Sequence, residues 1–316
     1  LPVEETHPFR GATAKARVVM PRRQATRAGV FAALATVQVL FGLHYIAAKH
    51  ILTIIPPRAW ATLRIVPASL LLLAVVVLTR RKLPRAPRDL AAIAFFSIFG
   101  VVINQVCFVE GLSRTATSHS SIINSAIPVA TLLIAILMRY ERTDLFKLGG
   151  IGLSLVGVVI LLARSGTALP ERFLTGDLLT LTNAMSYSLF LVISKPILAR
   201  HSSLAVTAEM LLFGAVGITM LGLPELARLD PSAVPLSVWG AGLFVVLFAT
   251  VGTYALSAWA LKRVDSSHVA LFIYLQPLIA SLLAVVWLHE PLGAEAYPSA
   301  AFIFAGLALS TRRRSA

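Results

Sequence analysis

Charge is scarce in this chain: Asp, Glu, Lys and Arg make up 13% of its 316 residues, about half the share of an ordinary soluble domain. Cysteine is scarcer still. The single Cys107 sits inside an apolar run, which leaves no disulfide framework and no cysteine-based metal site. Equally missing are HExxH, a P-loop, GxSxG and any loop cluster of carboxylates fit to hold Mg²⁺. The motif-bearing hydrolases, nucleotide-binding enzymes and metalloenzymes therefore have nothing to stand on. The expectation is a protein that is not an enzyme, with no metal and no cofactor.

What fills the chain instead is hydrophobic: 57% of residues, with a mean hydropathy of +0.83. A soluble core of this length could not hide so much apolar surface, whereas a bilayer requires no hiding. The net charge of +14 would suggest nucleic acid on a soluble protein. Here the basic residues lie between apolar runs, so they read as topology signals, with the lipid bilayer as partner and no nucleic acid. Residues 1–27 are polar and basic without an apolar core of signal-peptide type. Met20-Pro21-Arg22-Arg23 stands just before the first apolar run, where a translation start could fall, and residues 1–19 are expected to carry no fold.

From Ala28 onward, spanning helices are predicted at about 29–48, 59–79, 91–112, 118–138, 146–163, 176–198, 204–222, 236–261, 267–288 and 295–311. Most are long enough to cross about 30 Å of hydrocarbon at about 1.5 Å per residue. Pro56-Pro57, Pro84, Pro87, Pro170, Pro224 and Pro231 punctuate the breaks. The runs are apolar on all faces, which excludes a β-barrel of alternating strands. With the N-terminus inside, 21 Lys and Arg fall on the cytoplasmic side and six on the other, with Arg64 inside the second helix. Such a bias orients the chain with both termini cytoplasmic.

The chain also repeats itself. A shift of 149 places Leu112, Arg114, Ser118, His119, Pro128, Leu133, Ala135 and Glu141 on Leu261, Arg263, Ser267, His268, Pro277, Leu282, Ala284 and Glu290. Further along, Gly157 falls on Gly306. A shift of 146 aligns Lys49, Ile51 and Leu52 with Lys195, Ile197 and Leu198. Shared membrane composition would match Leu and Ala by chance, but not Arg, His, Pro and Glu without a gap. Five helices is an odd number, so the second half must enter the membrane from the opposite side. The fold class is therefore an all-α membrane protein of ten transmembrane helices in two inverted repeats, residues 28–163 and 176–311. Residues 164–175 form a linker and 312–316 a basic tail. Inverted repeats of this kind are a recurrent basis for alternating access, with a small-molecule substrate near the midplane.

Gly111-Leu112-Ser113-Arg114-Thr115-Ala116, Ile127-Pro128-Val129, Arg139-Tyr140-Glu141-Arg142 and Gly150-Ile151-Gly152 resemble the EamA repeat of the drug/metabolite transporter superfamily. The second copy is Ala260-Leu261-Lys262-Arg263-Val264, Gln276-Pro277-Leu278, His289-Glu290 and Gly306. Phe41-Gly42 with Lys49, and Leu63-Arg64, fit the same pattern. After Glu290 the second copy departs, with Tyr297-Pro298-Ser299 in place of early glycines. The resemblance implies a secondary transporter in the cytoplasmic (inner) membrane, exporting amino acids or similar amphipathic metabolites; a monomer and a homodimer are both open. With no ATP-binding domain in this chain, the driving force would be an ion gradient or the substrate's own. A lipid-handling protein or a non-transporting sensor or assembly subunit are the competing readings.

Candidate cavity residues follow from cost, since an unpaired amide in hydrocarbon is expensive. They are His44 and Tyr45 of the first helix, Asn104 of the third, Asn124 of the fourth and Asn183 and Tyr187 of the sixth. Tyr254 of the eighth and Tyr274 and Gln276 of the ninth complete the set. Pro128 and Pro277 are candidate kinks or gates, with structural bends the simpler alternative. Glu110, inside the outer end of the third helix, is the candidate for proton coupling. Glu141 and Glu290 are expected to cap or form salt bridges. Lys49, Lys195 and Lys262-Arg263 are expected to reach the headgroup interface.

Overall fold

The structure is a computed structural model that describes residues 26–115, 120, 123–124, 126–141, 145–163, 174–276, 278–279, 283 and 296–311. Among the described residues there are helices and no strands. Helix α1 (Arg27–Leu52) opens where the Thr26 hydroxyl accepts the Gly29 N–H, and Lys49 and His50 complement its C-terminal dipole. Helices α2 (Pro57–Leu78) and α3 (Pro87–Arg114) each begin on proline, whose missing N–H is harmless at a first position. After them come α4 (Ile127–Leu137), α5 (Leu145–Ala163) and α6 (Leu174–Ile193). A turn at Ser194 and the short helix Lys195–Arg200 extend α6. The rest are α7 (Ser203–Leu226), α8 (Leu236–Leu261), α9 (Ser266–Leu271, running into a 3₁₀ turn at Phe272–Tyr274) and α10 (Ala296–Thr311).

Six of these, α1, α2, α3, α6, α7 and α8, are long and apolar enough to cross a membrane. Shorter apolar helices lie within α4, α5 and α10. Large apolar side chains such as Leu70, Val77, Phe95, Val216 and Phe248 are exposed along them, as lipid contact requires. The chain is a multi-pass membrane protein. Predicted spans and helices agree in position, but α1 runs four residues past its expected end. The predicted spans at 118–138 and 267–288 lie partly outside the described residues. Pro128 stands in the first turn of α4, after a turn at Ala126. The bend there is a restart of the helix, and no intrahelical bond is lost to the proline. Pro277, His119 and Glu290 lie outside the described residues.

Both α3 and α8 carry a π-helical stretch, Ile98–Ile103 and Leu247–Gly252, separated by the 149-residue spacing of the repeat. The ends of the helices sort into two groups. Lys49 at the end of α1 donates to the carbonyls of Leu112 (2.8 Å) and Thr115 (3.2 Å) at the end of α3. Thr115 bonds Asp177 in the first turn of α6 at 2.5 Å. Glu225 near the end of α7 accepts the first backbone N–H groups of α2, from Arg58 (2.8 Å) and Ala59 (3.2 Å). At the opposite end, Lys195 after α6 and Lys147 of α5 both meet Asp265 ahead of α9. Lys262 closing α8 donates to the His201 carbonyl at 2.7 Å. The lysines expected at the lipid interface therefore serve as caps and ion-pair partners within the protein.

Helices α5 and α10 cross in close contact, as the paired Gly157 and Gly306 allow. A Cβ on Gly306 would stand 2.5 Å from the Gly150 carbonyl and 2.7 Å from the Ser154 nitrogen; on Gly157 it would stand 2.7 Å from the Ser299 carbonyl. Ser154 Oγ donates to the Ile303 carbonyl at 3.3 Å across this seam. The α10 packing thus rests on Gly306 and the buried Ser299, not on early glycines. Backbone atoms cannot step aside as side chains can, so Gly306→Ala is expected to destabilise the protein by about 1–3 kcal/mol. Thermal unfolding in detergent checks this against Gly152→Ala, whose Cβ meets nothing within 4 Å and should leave the transition in place or raise it slightly through helix propensity.

Candidate substrate cavity

A cavity lies among α1, α2, α3, α4, α6, α7, α8 and α9. Its volume is about 90 Å³. Its wall draws on both halves of the chain.

Eight of the nine residues predicted for it are in that wall. His44, Tyr45 and Asn104 come from the first half with Asn124; Asn183, Tyr187, Tyr254 and Gln276 come from the second. Asn124 donates to the Tyr45 hydroxyl at 2.5 Å, and Gln276 donates to Gln38 at 2.8 Å. Asn183 donates to the Asn104 carbonyl at 2.8 Å. Each of these bonds crosses between helices, so the amides also hold the wall together. His44 lies on Phe108 with centroids 5.3 Å apart, and Tyr187 on Phe190 at 5.9 Å. Tyr274 is the exception. It is buried, its hydroxyl without a partner, and it stands outside the wall.

Around the π-helical stretches the two halves exchange bonds between equivalent positions. The Gln105 amide donates to the Tyr254 hydroxyl at 2.9 Å, and these two residues are 149 apart. Tyr254 donates in turn to the Gly100 carbonyl at 2.9 Å. The matching carbonyl of the second half, Ala249, accepts from Arg64 at 3.3 Å. A π turn is wider than an α turn and is frequent at functional sites. Here each presents a carbonyl that accepts from a side chain of the other half, and Ala249 also accepts from Thr253 at 2.8 Å.

Sequence reasoning left Arg64 and Gln105 without a site role. Arg64 is 1% exposed and lines the cavity. Its donors go to Thr250 Oγ1 (2.6 Å), Gln105 Oε1 (2.8 Å) and the Ala249 carbonyl. An intramembrane arginine is a functional candidate by default, so the signal was present at residue 64 itself. Glu209 was also passed over. It is buried in the second turn of α7, its Oε2 without a partner, deeper in its helix than Glu110.

Glu110 does not line the cavity. It is held between the Arg58 guanidinium at 2.6 Å and that of Arg114 one turn on, with Glu225 also near Arg58 at 3.7 Å. The other end of the bundle has a counterpart. Glu141 accepts from Lys147 (3.0 Å), from the Ser267 N–H (3.2 Å) and from its hydroxyl (2.5 Å). The expected capping and salt-bridging role of Glu141 is what these contacts amount to, joining the end of α4 to the start of α9. Among the described residues no group of His, Cys, Asp and Glu could hold a metal ion.

A membrane-embedded helical bundle with an internal cavity walled by both halves defines the class of a polytopic solute-handling protein. The EamA-like transporter family model matches residues 27–163 and again 174–312, and the chain belongs to that family. The uncharacterized transporter YetK of Bacillus subtilis (strain 168) is 24% identical over 267 residues, covering 83% of this chain and 81% of the relative. An uncharacterized transporter of Archaeoglobus fulgidus is 22% identical, covering 89% and 98%. The "probable terminal-alkyne amino-acid exporter" of Streptantibioticus cattleyicolor is 26% identical, covering 73% and 75%. One solved crystal structure superposes with a TM-score of 0.73 at 21% identity, covering 90% of this chain and 98% of that one. It shares the fold.

The Asp265 cluster titrates in a defined direction. Its carboxyl is held well below the usual carboxylate range, first by hydrogen bonding with His268 and then by Lys147, with Lys195 adding its charge. A depressed folded-state pKa contributes stability above the unfolded value of about 3.9, and that contribution is lost as pH falls towards the folded value. Asp265→Asn should therefore lower the melting temperature at pH 7 and have less effect with each step below about pH 4. Because the Asp265 side chain is 46% exposed, screening limits the loss to about 1 kcal/mol or less. A deficit independent of pH would contradict this.

Proposed function

We propose that this protein is a secondary transporter that moves an amino acid or similar amphipathic metabolite by alternating access, in the direction of export. In this reading ten spans form two inverted five-helix repeats in the cytoplasmic membrane, with both termini inside. The observation that carries it is the cavity between the halves, walled by amides, phenols and aromatic rings at mid-helix depth. The 21 to 6 distribution of Lys and Arg supports the orientation. The opposed ends of α1 and α6, which the shift of 146 makes repeat mates, support the inversion. The amino-acid class and the direction rest on the name of one relative and on the general likeness of the repeat.

Alternating access needs contacts that close one end at a time. The Arg58–Glu110–Arg114 group and the Glu141–Lys147–Asp265 group stand at opposite ends of the bundle and serve as the two latches. As a latch, Glu110→Gln is expected to lower the melting temperature while leaving pH-driven flux in place. Loss of pH-driven flux with binding intact would instead make Glu110 the coupling site.

The reading is tested in proteoliposomes. Metabolites that raise the melting temperature by binding the folded state are carried into counterflow assays, where at least one is expected to show saturable exchange. Lipid scrambling with no solute flux would overturn it.

A further inference from the structure

Arg64 is a buried cation with no anion to answer it among the described residues. It is 1% exposed, and the three hydrogen bonds it makes all end on neutral oxygens. A guanidinium carries five N–H donors, so two remain beyond those bonds. Among the described residues the cavity wall contains no Asp or Glu. The acidic groups that have basic partners spend them elsewhere: Glu110 on Arg58 and Arg114, Glu141 and Asp265 on lysines, Asp89 on Arg200 and His201. A charge withdrawn from water and left unpaired is costly, which is why intramembrane charges are paired or functional. The neutral acceptors orient Arg64 without neutralising it.

A second observation points into the same space. His44 is 2% exposed, lines the cavity, and its Nε2 has no hydrogen-bond partner among the described residues. A buried cation paired only with neutral oxygens and a buried imidazole nitrogen without a bond thus share one wall, beside the rings of Phe41, Phe96, Phe108 and Phe190. Resting on the transporter reading above, we infer that the substrate carries a single carboxylate that binds Arg64, with His44 as the second polar contact and its apolar body on the phenylalanines. One guanidinium matches one negative charge and offers the forked donors that suit a carboxylate. A dianion would lack a second cation, and an amine would face an uncompensated positive charge. The position in α7 that the shift of 146 sets against Arg64 is Met210. The charge is therefore a one-sided addition to a symmetric scaffold, as a substrate-selecting group would be.

The test uses the full-length protein in detergent with four probes of one shape: 3-phenylpropionate, its amide, phenylalanine and phenethylamine. Binding is read from the ligand dependence of the melting temperature. Carboxylate probes should stabilise the wild type at concentrations about tenfold or more below those the amide and the amine require, as expected for a lost charge-assisted hydrogen bond. The first probe alone, or phenylalanine alone, would assign the carboxylate to an organic acid or to an amino acid. Arg64→Gln should abolish the preference and Arg64→Lys should keep part of it. The wild-type comparison stands even if a variant fails to fold. Equal or tighter binding of the amide or amine, no response to either carboxylate, or a preference that survives Arg64→Gln would overturn the inference. Arg64-independent counterflow of phenethylamine would overturn it while leaving the transporter reading standing. Absence of all solute flux, by contrast, would remove that reading.

Discussion

Inside hydrocarbon a backbone carbonyl that loses its helical partner must find another, because no water is there to take its place. The π-helical stretches of α3 and α8 each present a carbonyl to a side chain of the opposite half. Tyr254 of α8 donates to Gly100 of α3, and Arg64 of α2 donates to Ala249 of α8, which also accepts from Thr253. Gln105 joins the two donors, accepting from Arg64 and donating to Tyr254. Neither half can form this network alone. The cavity wall is thus held by bonds between the halves at the depth where a solute would sit.

The packing around that centre is close, for the same reason. Without a hydrophobic drive between helices in lipid, small residues let backbones approach. Gly306 against Gly150 and Ser154, and Gly222 against the Arg58 carbonyl, are such approaches. They lie in the α5–α10 and α2–α7 pairs, each of which joins one helix of the first half to one of the second. Ion pairs among the described residues are kept for the two ends of the bundle, where water can share their cost. Arg64 is the departure from that division, and its placement on the cavity wall is what gives the site a sign.

Much of this was legible in the sequence for stated physical reasons. The 149-residue register sets Gly157 on Gly306, and those positions lie in one seam. Amides and phenols at mid-helix had to face protein or a cavity, and Asn104, Asn124, Asn183, Tyr187 and Tyr254 do. What the residues did not disclose was the π-helical register. A stripe counted at 3.6 residues per turn through Gly100, Asn104, Cys107 and Gly111 selects Asn104 and passes over Gln105 and Phe108. A wider turn ahead of Asn104 rotates the rest of α3, and both join the wall. The roles of Lys49 and Lys195 were illegible for another reason: a cap or ion pair depends on which helix ends are neighbours, and only the fold sets that.

The central claim is that the two halves enclose one cavity that opens to each side in turn. In a Cys107→Ser background, Leu198→Cys and Asn124→Cys place single thiols on the wall, one in the extension of α6 that Lys195 ties to Asp265 and one beside Tyr45. Labelling by a membrane-impermeant thiol reagent, applied separately from each side of the reconstituted protein, reports which end is open. The account predicts reciprocal behaviour: conditions that raise labelling of one thiol from its side lower labelling of the other from the opposite side. Both thiols labelled from both sides at once, as in an open pore, would contradict it.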